Sequence, residues 1–265
     1  MTPAAASNRP PPFTSSAWTI EMHATTSRSL DSRQLRARSV SFALVARILG
    51  PDTTWLTDPD TVTALRTALE TSGDRAALRR LELSDGTPSL DPNRLAGRWV
   101  RWFDLGRVAP YEGSNVASTA GGVTPRLADI AGFYRAFNAS GPHDRPDHVV
   151  AQLEFLALTL LTEAEAFERG DGDVVEVAAR ATRTFVRDHI GARIDAWAAR
   201  VGAIDELAPW FPFAAVAAEL VRREAAIRNV IPLHAPAALP ADAGVAADEE
   251  AIMGCEDSLD SDFLP

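Results

Sequence analysis

Residues 145–169 read RPDHVVAQLEFLALTLLTEAEAFER, and this stretch decides the fold. Apolar side chains recur at helical spacing along one face of it, at Val149, Leu153, Leu156 and Leu160, and Phe155 and Leu158 widen that face. A face of this width is typical of a helix that is buried over most of its surface. The glycines at positions 170 and 172 end the pattern. We therefore predict a central helix over about residues 145–169.

The segments on both sides of this helix also predict helices, and no convincing strand alternation occurs in the chain. The predicted helices cover residues 31–49, 58–71, 74–83, 94–104, 125–137, 173–189, 192–201 and about 210–228. Several of them start at an aspartate or a threonine-proline pair, which are common at helix starts. We therefore expect an all-α fold, a single helical-bundle domain of about eight to ten helices.

The two ends of the chain differ in composition from its middle. Residues 1–30 are rich in Pro, Ser and Thr, which predicts a flexible arm. Residues 232–265 carry eight Asp or Glu and no Arg, which predicts a disordered acidic tail. This tail holds eight of the ten net negative charges, and residues 31–231 remain as the helical domain.

Missing residue types exclude several classes of function. All 26 basic residues are arginines, so the chain has no Walker-A phosphate loop and no lysine for Schiff-base or general-base chemistry. Cys255 is the only cysteine, which excludes Fe–S clusters and cysteine-rich zinc sites, and we expect no cofactor. A net charge of −10 argues against nucleic-acid binding.

No segment predicts export or a membrane span. The first thirty residues contain three consecutive prolines, at positions 10–12, and no continuous apolar core of a signal peptide. The longest strongly apolar stretch, residues 149–161, is interrupted by Gln152 and Glu154 and is too short to cross a bilayer. We expect a cytoplasmic protein without stable membrane insertion.

The sharpest local motif is RPDH at residues 145–148, followed by LEFL at residues 153–156. It has a structural interpretation, because Asp144 can cap the helix and Asp147 suits the positive end of its dipole. A catalytic interpretation is weaker, since Asp147 and Glu154 lie about 10 Å apart along a helix that rises ~1.5 Å per residue. The chain contains neither an HExxH nor a GxSxG motif.

A long loop, residues 107–124, has no periodicity and contains PYEGS at residues 110–114. Loops of this length in a compact domain are often functional. Trp99, Trp102 and Phe103 precede it on one helical stripe, where aromatic residues are more often core than ligand platform.

Taken in order, these motifs resemble those of the TorD/DmsD/NarJ family of redox-enzyme maturation chaperones over most of residues 33–229. The matching pieces are Trp102-Phe103, Gly106, Pro110-Tyr111-Glu112, Pro146-Asp147-His148, Leu153-Glu154-Phe155-Leu156, residues 185–190 with Trp197, and residues 210–213. Ala109 and Gly113 depart from the pattern, because the family commonly has proline and serine there.

The resemblance implies a TorD-like fold and a non-enzymatic chaperone. Its partner would be the apo catalytic subunit of a molybdopterin-dependent oxidoreductase, bound through its twin-arginine leader peptide until cofactor insertion. The expected peptide-binding residues are Trp102, Phe103, Tyr111, Glu112, Ser114, Asp147, His148 and Glu154. Asp147 and Glu112 would meet the guanidinium groups of the leader, and Tyr111 and Trp102 its apolar residues, while His148 orients the loop.

Three points stay open at this level. The protein could instead be a small hydrolase that uses His148 with a carboxylate from elsewhere in the chain. It could also be a helical scaffold that binds a partner through its acidic tail. The sequence leaves both a monomer and a homodimer possible.

Overall fold

The computed structural model of the chain describes residues 16–84, 91–115, 123–139 and 145–233. The helices in these ranges are α1 (Ser16–Leu49), α2 (Thr54–Thr57), α3 (Pro59–Ser72), α4 (Arg75–Leu81), α5 (Pro92–Trp99), α6 (Thr124–Ala136), α7 (Val149–Arg169), α8 (Gly172–Asp188), α9 (Ile194–Gly202) and α10 (Phe211–Ile227). A π-helical turn, Val100–Asp104, continues α5, and a 3-10 turn, Ile190–Ala192, joins α8 to α9. The fold is all-α, which confirms the predicted fold class.

The central helix is confirmed with a shorter span than predicted. It starts at Val149 instead of residue 145, because His148 caps it and the preceding residues turn back toward the loop at residues 110–114. The predicted apolar face is buried, including Leu153, Leu156 and Leu160, except for Leu158 at its margin, which is half-buried. Asp144, the predicted cap, lies outside the described residues.

Aspartate caps explain several of the other helix starts. The side chains of Asp58 and Asp74 accept backbone N–H groups at the starts of α3 and α4, as the sequence predicts. At α8 the predicted cap was wrong by two residues, because Asp171 accepts the N–H of Val174 and Asp173 lies in the first turn.

The first helix is longer than the sequence pattern predicts. It begins at Ser16 rather than residue 31. No proline or glycine occurs between positions 13 and 49, so nothing in that stretch breaks a helix. Residues 1–15 of the predicted arm and residues 234–265 of the predicted tail lie outside the described residues.

Helix α7 lies at the centre of the bundle. It packs against α1 on one side and α8 on the other, and α3 covers α1. Helix α10 contacts α4, α9 and α1 and closes the bundle. None of the helices in the described ranges combines the length and hydropathy needed to span a membrane.

Buried ion pairs connect the helices on which the core depends. Arg38 of α1 donates to both carboxylate oxygens of Glu224 on α10, at 2.6 and 2.5 Å. Arg228, just after α10, donates to Glu163 of α7 at 2.6 Å. Since desolvation offsets much of the attraction in such pairs, their clearest effect is to fix how α1, α7 and α10 are aligned.

Candidate functional site

The long loop meets the start of α7 in a short stretch of backbone pairing. Tyr111 and His148 form an isolated antiparallel bridge. The N–H of Glu112 donates to the carbonyl oxygen of Asp147 at 2.9 Å, and the N–H of Val149 donates to that of Pro110 at 2.8 Å. The second bond satisfies one of the backbone donors that a helix start leaves without an internal partner. The loop is therefore fixed to the helix it was predicted to accompany.

The Asp147 carboxylate is fully buried and already bound by its own chain. Its Oδ1 accepts from Nε of Arg145 at 3.1 Å, and its Oδ2 accepts from Nη2 of Arg145 at 2.8 Å. Oδ2 also accepts from the N–H of Gly113 at 2.8 Å. The guanidinium of Arg145 lies over the ring of Tyr111, 4.2 Å from its centroid, so the ion pair also has a cation–π contact.

Gly113 is required by the close approach of its neighbours. A Cβ at this position would lie 2.5 Å from Cγ1 of Val123 and 3.1 Å from Oδ2 of Asp147. Both distances are shorter than ordinary carbon contacts, so a side chain here forces its surroundings to move. This packing explains why glycine stands where the family resemblance led us to expect serine.

Glu112 is the centre of a buried polar network. Arg126 of α6 donates to its Oε1, and Gln152 of α7 donates to its Oε2 at 2.5 Å. Nδ1 of His189 lies 3.3 Å from Oε1, and Arg193 donates from Nη1 to the backbone oxygen of Glu112 at 2.9 Å. The network therefore ties the loop to α6, to α7 and to the segment between α8 and α9.

The charge state of Glu112 follows from these contacts. Burial opposes ionisation, but the hydrogen bond and charge of His189, the hydrogen bond from Arg126 and the charge of Arg193 outweigh it. The pKa of the Glu112 carboxyl therefore lies below its ordinary value, and the group is an anion at neutral pH.

His189 extends the network to a second carboxylate. Its Nε2 lies 3.1 Å from Oδ2 of Asp129 on α6, opposite the nitrogen that faces Glu112. The ring is buried and packs edge-on against Phe133, at a centroid distance of 5.8 Å. His189 thus joins the end of α8 to α6 and to the loop.

His148 has a structural contact of its own. Its Nδ1 accepts the N–H of Val150 at 3.1 Å, which makes it the N-cap of α7. Its ring also packs edge-on against Tyr111, at a centroid distance of 5.2 Å. The cap uses the lone pair that a general base on Nδ1 would need, so this geometry does not favour the hydrolase alternative.

Within the described residues no group of three or more potential metal ligands occurs.

Trp102 and Phe103 lie in the π-helical turn that precedes the loop. Trp102 is half-buried, and its Nε1 donates to Oε2 of Glu206 at 2.5 Å. The guanidinium groups of Arg101 and Arg107 lie 5.6 and 5.8 Å from its ring. Phe103 is buried in the core among tryptophan rings.

The remaining predicted residues lie near the loop and the start of α7. Ser114 is exposed in the turn that follows Glu112. Glu154 is half-buried on α7. Burial is the main cause of a raised pKa at Tyr134, and the charges of Glu112, Glu154 and Asp147 raise it further. The structure thus brings together Tyr111, Glu112, Asp147 and His148, with Ser114 following Glu112 in the loop and Glu154 further along α7.

Several partners of this site are not predicted by the sequence, namely Arg126, Gln152, His189 and Arg193. Only two of these four residues stand out in the sequence. Gln152 is a polar residue among the apolar residues of α7, and His189 belongs to the element at residues 185–190 that carries the family resemblance. The two arginines are two among 26, and nothing in the sequence distinguishes them.

The family model that matches this chain covers the residues that build this site. A family model described as nitrate reductase delta subunit matches residues 62–199. The selenate reductase assembly chaperone protein of Thauera selenatis is 33% identical over 125 residues, which cover 44% of this chain. The chain covers 63% of that relative, somewhat less than two thirds of its length. The family match includes the loop, helices α6 to α8 and every residue of the Glu112 network.

Proposed function

Because this chain belongs to the nitrate reductase delta subunit family, we propose that it is an assembly chaperone for the catalytic subunit of a molybdopterin-dependent oxidoreductase. It binds the apo subunit in the cytoplasm and holds it until the cofactor is inserted, with no catalytic activity of its own. The observation that carries this proposal is the family match, which spans the whole Glu112 network. The name of the Thauera selenatis relative, selenate reductase assembly chaperone protein, supports it.

The surface proposed to bind the client lies where residues 110–114 meet the start of α7. It combines a buried carboxylate, Asp147, with the half-buried ring of Tyr111 and the exposed Ser114. A leader peptide that carries arginines and an apolar stretch suits such a surface, because guanidinium groups pair with carboxylates and stack on aromatic rings.

The ion pairs within the chain indicate different roles for Glu112 and Asp147, the two carboxylates predicted to meet the leader's guanidinium groups. Glu112 is 3% exposed and is held by donors from three helical segments, so its role is to position the loop. Asp147 is held by Arg145, whose side chain is 39% exposed. A guanidinium of the client can take the place of Arg145 without opening the core, and we assign direct contact with the leader to Asp147. Phe103 supports the core and is not part of this surface.

Co-purification tests this proposal. The tagged full-length chain is recovered from cells that express a molybdopterin oxidoreductase, and the bound proteins are identified by mass spectrometry. We expect an apo catalytic subunit with the wild type and much less of it with Asp147→Asn. Arg180→Gln is the matched control, because it removes an exposed pair with Glu176 on α8. Recovery of no such subunit with the wild type contradicts the proposal.

A further inference from the structure

A small pocket lies beside the loop, between the start of α7 and the start of α9. Its walls are largely apolar and include Pro110, Val149, Ile190 and Ile194. It is partly open to solvent and has a free volume of about 20 Å³, which is room for about one water-sized group. Arg193 and Trp197 also line it, and both carry side-chain N–H groups that can donate hydrogen bonds.

Two hydrogen-bond donors of this pocket lack an acceptor. Trp197 is 4% exposed and the Arg193 side chain 10% exposed. Among the residues that the structure describes, neither Nε1 of Trp197 nor Nε of Arg193 has a hydrogen-bond partner. Nε of Arg193 lies 3.7 Å from Oε1 of Glu112, within ion-pair range but too far for a hydrogen bond. Buried hydrogen-bond donors nearly always have an acceptor. We therefore expect a ligand that brings an acceptor into the pocket.

The residues that carry the two donors are four positions apart at the start of α9, where Arg193 is the N-cap. The N–H of Trp197 donates to the carbonyl oxygen of Arg193 at 2.9 Å, so the residues are one helical turn apart. Side chains four residues apart in a helix are neighbours on one face. One carbonyl oxygen has two lone pairs and can accept from two such donors.

The charges around the pocket favour a neutral acceptor over an anion. Burial is the main reason that the pKa of Arg193 falls to about 10, and Arg126 lowers it further, while Glu112 and Asp147 raise it. The negative charges of Glu112 and Asp147 thus already balance the positive charges of the two arginines. Glu112 itself lines the pocket. A further carboxylate would meet the like charge of Glu112, whereas a carbonyl oxygen would not.

We propose that this pocket is a subsite that accepts a backbone carbonyl of the bound polypeptide, with Trp197 Nε1 and Arg193 Nε as donors. The inference rests on the proposed function, because that function supplies a polypeptide beside the loop. A backbone carbonyl is an acceptor that every polypeptide carries, and the free volume admits a group of that size. The apolar walls suit small apolar atoms next to it.

N-methylacetamide, which carries a single peptide-like carbonyl, is the probe for this subsite. It is titrated into the full-length, ¹⁵N-labelled protein while the indole N–H resonances are followed by NMR. We expect a saturable downfield shift of the Trp197 resonance, assigned with Trp197→Phe. Trp210 is the internal control, because its Nε1 is also buried without a described partner but it does not line the pocket. A Trp197 resonance that stays still, or that moves only as much as that of Trp210, overturns the proposal.

Trp197→Phe gives a second measurement, because it keeps an aromatic ring and removes the N–H donor together with part of the indole. With the Nε–H resonance of Arg193 as readout, we expect the affinity for N-methylacetamide to fall about fivefold to tenfold in this variant. Unchanged affinity in a variant that retains its melting temperature overturns the proposal. Trp210→Phe is the matched control and should leave the affinity unchanged.

Failure of this subsite and failure of the chaperone proposal are distinguishable. The titration with N-methylacetamide needs no client. A Trp197 indole resonance that does not shift therefore overturns the subsite and leaves the co-purification result unaffected. Absence of any molybdoenzyme subunit in co-purification overturns the proposed function, while a response of Trp197 still establishes a carbonyl-binding pocket.

Discussion

Arg145 holds the buried carboxylate of Asp147 from two residues away, with Nη2 2.8 Å from Oδ2 and Nε 3.1 Å from Oδ1. The pair is asymmetric, because Asp147 is inaccessible while the Arg145 side chain is 39% exposed. Arg145 therefore occupies the position that we assign to a guanidinium of the client.

We predict that Arg145→Ala raises the affinity for the client's leader peptide about threefold to tenfold, because the peptide no longer competes with an internal arginine. Isothermal titration with a synthetic leader, from the subunit identified by co-purification, measures this change. Arg180→Gln, an exposed arginine on α8, should leave the affinity unchanged. Weaker binding by a folded Arg145→Ala variant would show that Arg145 helps to bind the peptide instead.

Gly113→Ala should lower the free energy of unfolding by about 1–3 kcal/mol, because the new methyl group meets Val123 and the Asp147 carboxylate. Urea unfolding measures the loss. Gly97→Ala on α5 is the control, since a Cβ there has no neighbour within 4 Å, and it should be neutral or slightly stabilising. Equal stability of the two variants contradicts the packing described for Gly113.

The N-cap role of His148 predicts a specific pattern of rescue. His148→Ala removes the acceptor for the N–H of Val150 and should cost about 1 kcal/mol of unfolding free energy. His148→Asn should recover most of that loss, because asparagine is among the best N-cap residues. Urea unfolding of the three proteins measures this pattern, and an asparagine variant no more stable than the alanine variant would contradict the cap role of His148.

The lowered pKa of Glu112 makes its stabilising effect depend on pH. A carboxyl whose folded pKa lies below its unfolded value stabilises the fold above the unfolded value, and that stabilisation is lost as pH falls through the folded pKa. The difference in unfolding free energy between wild type and Glu112→Gln should therefore be about 1–3 kcal/mol near pH 5.5 and shrink toward pH 3.

Denaturant unfolding across this pH range measures the Glu112 effect. Glu176→Gln is the control, because Glu176 forms an exposed pair with Arg180, and its effect should stay small throughout. A difference for Glu112→Gln that grows as pH falls would mean that the network does not stabilise the ionised carboxyl.

The fold was largely predictable because its signals are local. The apolar spacing of α7 and the capping aspartates at Asp58 and Asp74 depend on residues within two turns of each other. The family match confirms the resemblance that the ordered motifs carried. Helix ends were less predictable, as at α8, where Asp171 and Asp173 are both good caps and only the geometry of the preceding turn decides between them.

The site was predictable only in part because its contacts are distant in the sequence. Asp147 and His148 lie in one motif, and the resemblance brought Tyr111 and Glu112 to them. Arg126, His189 and Arg193 reach Glu112 from up to 81 residues away, and their convergence depends on how α6, α8 and α9 pack. Trp102 and Phe103 precede the loop in the sequence, and their contacts are also distant: Trp102 pairs with Glu206, and Phe103 packs among tryptophan rings of the core.

The cofactor content of the client subunit tests the central claim most directly. The subunit is purified from cells that lack this chain, and from the same cells complemented with wild type or with Arg180→Gln, and its molybdenum is measured per polypeptide. We predict a largely molybdenum-free subunit without the chain and full loading with either complementing form. A fully loaded and assembled subunit in cells that lack the chain would contradict the account.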